Sequence, residues 1–213
     1  MKKIHIQKTV LNYIIKNKWQ LALVFFSLVI GSVAGSVFSV LMKTDQADAM
    51  TKYLSNFVSA YNLQSVSGKD IFYFSLYNNI KVTLFLWLSG IWLGFMPLGI
   101  LQIGIKGYKI GFSTTLFVKV FGVKGIFFAL FSLIPQLLIM IPALITYCVF
   151  NINFAVCMHQ IKSQKVKVNV KNEICLKNLL YLLAVVAISV IAAILDAFVV
   201  PPILKPICSF LGN

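Results

Sequence analysis

Apolar residues in this chain fall into long unbroken runs rather than the short alternations of a soluble core. No charged residue stands between Lys18 and Lys43, Lys81 and Lys106, Lys124 and Lys162, or Lys177 and Asp196. Each gap approaches or exceeds the roughly 20 residues with which a helix crosses a bilayer core of about 30 Å. The pattern predicts an all-α, polytopic helical membrane protein of about five transmembrane helices, one short and one proline-kinked, forming a single membrane domain over 1–213.

The first span runs from about Trp19 to Met42; Ala34, Gly35 and Ser36 resemble a cleavage site, but the apolar run is too long for a signal peptide. The second is expected from Val82 to Ile105, with Phe72, Tyr73, Phe74 and Tyr77 as an aromatic belt before it. Lys106 and Lys109 then mark a cytoplasmic return. Ile110 to Val123 is the weakest span, short and carrying Lys119, and either crosses a thin stretch or re-enters. Ile126 to His159 is longer than one perpendicular crossing and contains Pro135 and Pro142, which remove backbone donors and favour kinks. The last span covers about Asn178 to Val199 and is ended by Pro201, Pro202 and Pro206.

Three polar stretches interrupt these runs. Residues 1–18 carry five lysines and no acid, and their apolar spacing suggests a short amphipathic helix on the cytoplasmic surface. In 43–70 three lysines face three aspartates, as suits an exported segment, and Ala47, Met50, Leu54, Phe57, Val58 and Tyr61 recur at amphipathic-helix spacing. That face either lies on the outer leaflet or docks a partner, with Met50, Leu54, Phe57 and Tyr61 as the candidate contacts. Residues 160–177 form a second basic stretch, expected as a cytoplasmic loop. If Ile110 to Val123 crosses, the lysine bias places the N-terminus inside and the C-terminus outside the cell membrane.

Composition narrows the chemistry. Of 213 residues, 60% are hydrophobic and 11% charged, and the net charge of +14 comes from lysines that flank apolar runs. Positive-inside insertion explains that charge, so no nucleic acid partner is expected; the partner implied by composition is the lipid bilayer. Cys148, Cys157, Cys175 and Cys208 lack paired spacing and read as small hydrophobes, while His5 and His159 have no ligand-spaced neighbours, so neither a metal nor a cofactor is expected. Asp196 has no second carboxylate beside it, and the chain is not expected to be an enzyme. A lone acid beside a span is either an interfacial group or a proton or ion site.

Other candidates concern helix packing and a polar core. Gly31 with Gly35, Gly90 with Gly94, and Gly107 with Gly111 stand at the spacing that lets helix backbones approach, within the chain or in a homodimer. Asn78, Asn79 and Lys81 need partners near hydrocarbon, and Gln136 sits between Pro135 and Pro142 either as interhelical glue or along a polar path.

Taken in order, Asn78-Asn79-Ile80-Lys81-Val82, Gly90 to Gly94 with Pro97, Lys106-Gly107, Ile110-Gly111, Gly122 to Gly125, Pro135-Gln136 and Ile141-Pro142-Ala143 resemble the stage II sporulation protein M family. Broader relatives often carry His after the first proline and Glu before the second, where Gln136 and Met140 stand here. The resemblance implies a multi-pass protein of endospore formation, on the mother-cell side of the septum. It also implies a scaffold for two peptidoglycan-degrading partners during engulfment, the stage II sporulation proteins D and P. The second functional reading is a permease or channel subunit packed as a homodimer, with Gln136 and Asn79 along its path.

Overall fold

A computed structural model describes residues 17–63, 68–164 and 168–204. Among the described residues the chain is helical with short turns: α1 (Lys18–Leu41), α2 (Thr44–Leu63), α3 (Gly68–Ser89), a 3-10 turn (Leu93–Phe95), α4 (Met96–Phe121), α5 (Val123–Gln164) and α6 (Val168–Phe198). Three stretches, Lys18–Leu41, Val123–Ile161 and Asn172–Leu204, are long and apolar enough to cross a membrane by length and composition. The expected amphipathic helix at 1–18 lies almost wholly outside the described residues, as do Pro206 and Cys208.

Cross-helix contacts fix the directions. α1 and α4 run the same way, since Ser27 bonds the Ile100 carbonyl and Ser36 the Gly111 carbonyl. α4 and α5 are antiparallel, with Phe117 and Phe128 edge to face at 4.8 Å near their shared turn. α5 and α6 are antiparallel too: Met140 meets Ser189, and Phe150 stacks on Tyr181 at 4.0 Å. Asn153 of α5 donates to Asn17 at the start of α1. The shared core includes Val24, Leu86, Ile103, Met140, Leu144 and Val185, so five helices contribute to it.

Several span boundaries are corrected. The run from Val82 to Ile105 is not one helix: α3 ends at Ser89, a turn follows, and α4 begins at Met96. Gly90 and Ile91 close the end of α3 onto Trp87 and Leu88, Phe95 bonds back to Trp92, and a proline opens α4. The turn escapes hydropathy because its residues, Gly-Ile-Trp-Leu-Gly-Phe, are themselves apolar. Ile110 to Val123 is in turn not a separate short span, since nearly all of it is the second half of the continuous α4. The aromatic residues Phe72 to Tyr77 lie inside α3 rather than ahead of a span.

α5 holds 42 residues, about 63 Å of helix, roughly twice a bilayer core. It continues through Pro135 and Pro142. Much of the basic stretch 160–177, expected as a loop, is helical, with α5 reaching Gln164 and α6 starting at Val168. There Lys177 pairs with Glu173 at 2.7 Å on an exposed face. Past Phe198 the chain does not stop at its prolines: 200–204 is again helical, and Val200 and Leu204 pack on Phe128. Proline suits the first turn of a helix, where its missing donor has no partner to lose. Between α4 and α5, Gly122 takes φ of 60°, a left-handed conformation that a side chain disfavours.

Candidate functional site

Two seams hold the bundle together, and they differ in chemistry. The first joins α1 to α4 by backbone contact. A Cβ on Gly31 would strike the Gly104 carbonyl, and one on Gly35 the Tyr108 carbonyl. From the other side, Gly107 faces the Leu28 carbonyl and Gly111 the Ser32 carbonyl. Each of these four glycines therefore makes room for a neighbouring backbone, which is how helices associate without a hydrophobic force between them. Gly104, which the sequence reading passed over, completes the seam; its signal is a third small residue on the face of Gly107 and Gly111.

Gly90 and Gly94 do not form such a pair. Gly90 sits in the turn after α3, where a Cβ would come within 2.7 Å of Asn151 Oδ1. Gly94 is exposed in the 3-10 turn and meets only the Trp92 ring. Both serve the reversal of the chain, so their four-residue spacing does not place them on one helix face.

The second seam is polar and gathers one side chain from each of α4, α5 and α6 around two from α3. Ser75, Asn79 and Thr83 recur every four residues and so lie on one face of α3. All three are buried. Ser75 donates to Asp196 Oδ2 of α6 at 2.5 Å. Gln136 Nε2 of α5 donates to Ser75 Oγ at 3.0 Å, and Asn79 Nδ2 reaches the same oxygen at 3.4 Å. Lys106 Nζ of α4 approaches Asn79 Oδ1 at 3.4 Å. Thr83 bonds back to the Asn79 carbonyl at 2.9 Å, which holds its own hydroxyl within the helix.

Lys106 is only 8% exposed and lies about 15 Å or more from either end of α4. It therefore does not mark a return to water, and sequence reading misplaced it because a lysine beside an apolar run usually marks its edge. Lys109, one turn on, is exposed. Asp196, left in sequence as an isolated acid, is brought to Ser75. Ser75 itself was hidden inside the aromatic stretch, although the spacing of Ser75, Asn79 and Thr83 could have revealed it.

Asn78 is half-buried beside the network without a bond to it, and Lys81 is exposed, so neither belongs to the polar core. Pro135 is half-buried next to Gln136; Pro142 is exposed, and Thr146 bonds its carbonyl. On α2, Met50 is exposed and Leu54 is 8% exposed. The side chains of Phe57 and Tyr61 lie outside the described residues. A smaller buried polar pair, the Tyr147 hydroxyl and the Asn151 amide one turn later on α5, has no hydrogen-bond partner of good geometry among the described residues. Among the described residues no three His, Cys, Asp or Glu side chains gather as metal ligands.

Comparison with known proteins gives a family. The model of the family described as Stage II sporulation protein M matches residues 10–201. No curated protein and no solved structure matches the chain.

Proposed function

Because this chain belongs to the stage II sporulation protein M family, we propose that it is a membrane scaffold that anchors peptidoglycan-degrading partners, the stage II sporulation proteins D and P, at the septum during engulfment. The observation that carries this reading is α2. It is an amphipathic helix of 20 residues, packs sparsely on the bundle, and exposes Met50 and Tyr53. Exposed apolar side chains on an amphipathic helix are what a partner's groove takes up.

The proposed topology takes the side of the N-terminus from the lysine bias and is supported by the relative helix directions. The N-terminus lies inside, α1 leads outward to α2, α3 and α4 cross as a hairpin whose turn at Gly90 to Phe95 faces the cytoplasm, and α5 and α6 cross again. This keeps the two basic stretches, 1–18 and 160–177, together on the cytoplasmic side and leaves α2 and the C-terminus outside. The test is capture of the partners from sporulating cells by the Tyr53→Glu and Phe57→Glu variants. Both variants should stay in the membrane and capture less partner; unchanged capture would remove α2 from the interaction.

One observation favours a second reading, a permease or channel subunit. The network of Lys106, Asn79, Ser75, Gln136 and Asp196 places two ionisable groups among the helices, and such groups often line transport paths. Purified protein in liposomes separates the readings, since a permease gives substrate-dependent flux and a scaffold gives none.

A further inference from the structure

The polar seam has a direction that follows from the side chains alone. Lysine has donors and no acceptor, so the Asn79 atom facing Lys106 must be its oxygen, at 3.4 Å. The Asn79 nitrogen must then face Ser75 Oγ, which it does at 3.4 Å. Ser75 also accepts from Gln136 Nε2, so both its lone pairs are engaged and its one proton is left for Asp196, 2.5 Å away. The carboxylate ends the chain because it only accepts when ionised. Every donor from Lys106 onward therefore points toward Asp196, and dipoles aligned in this way between a cation and an anion reinforce one another.

The two charges do not touch directly; Asn79 and Ser75 stand between them. A charge in a helical bundle is costly unless compensated, and removing one member of a buried pair leaves the other exposed to that cost. α4 also needs this compensation more than α6 does. It carries Lys106, Lys109 and Lys119 and is not among the stretches apolar enough to cross by composition, whereas α6 is.

From this we propose that Lys106 and Asp196 form an ionic clasp, bridged by Ser75 and Asn79 and braced by Gln136, through which α6 makes the position of α4 in the membrane tenable. The clasp goes beyond the scaffold reading and does not depend on it. Lys106 is compensated only once α6 has docked on α3, so α6 completes a site that the helices before it leave open. Gly68, at the start of α3, lies close to the Ala197 carbonyl, one residue from Asp196.

The test is a cycle of neutralised variants of the full chain in detergent, read by the midpoint of thermal aggregation and by labelling of a cysteine placed at Val123, beyond the end of α4. Lys106→Met and Asp196→Asn should each lower the midpoint by about 5–10 °C, and each should change the labelling at 123. The double variant should recover most of both losses, because neither charge is then left alone. Adding Ser75→Ala to the double variant should cost little, whereas in the native chain it should cost nearly as much as losing a charge. A double variant as impaired as the sum of its parts, or single variants without effect, would overturn the clasp. Because no readout uses partner capture, these outcomes leave the scaffold reading to its own test.

Discussion

The seam between α1 and α4 and the seam around α3 solve the same problem by opposite means. On the first, Gly31, Gly35, Gly104, Gly107 and Gly111 strip away side chains until backbone meets backbone. On the second, Ser75, Asn79, Lys106, Gln136 and Asp196 fill the space with groups that must bond one another. Lipid tails are as apolar as leucine, so burial of apolar surface does not by itself hold helices together in a bilayer. Close packing and mutual hydrogen bonding remain as the means, and this chain uses one on each side of α4.

The two seams should therefore fail differently. Gly111→Leu is expected to have the largest effect, about 3 kcal/mol or more, because its Cβ would enter the Ser32 backbone, which has no rotamer to yield; loss of monodisperse protein in detergent checks this. Asp196→Asn comes next, at about 2–3 kcal/mol, and differs in being rescued by a second substitution at Lys106, as no partner change could rescue Gly111. Gln136→Ala removes one brace on Ser75 and should cost roughly 0.6 kcal/mol, the usual value of a hydrogen bond between membrane helices. Gly94→Ala should fall within about 0.5 kcal/mol of the native chain, since only the Trp92 ring stands near it. Comparable losses at Gly94 and Gly111 would mean that packing glycines and turn glycines do not differ.

The seams also differ in how plainly the sequence displays them. Four of the packing glycines were visible because small residues at four-residue spacing stand out in an apolar run. The polar seam was visible only in part. Asn79 and Gln136 drew notice as amides, but Lys106 and Asp196 stand next to apolar runs and so resemble span edges, and only the fold shows Lys106 buried and Asp196, half-buried, bonded to Ser75. The hairpin of α3 and α4 was missed for a related reason. Hydropathy records what a residue prefers to touch, and an apolar turn at Gly90 to Phe95 satisfies it as well as a helix does. Helical class and membrane character were legible throughout, because they depend on composition rather than on boundaries.

That difference bears on function. Both seams face inward, while α2 is an amphipathic helix that exposes Met50 and Tyr53, and it is where a scaffold would meet its partners. The most direct measurement is photocrosslinking in sporulating cells from probes at Met50 and Tyr53. The scaffold account predicts protein adducts containing the two peptidoglycan-degrading partners. Adducts to lipid alone at both positions would contradict it and leave α2 as a helix lying on the outer leaflet.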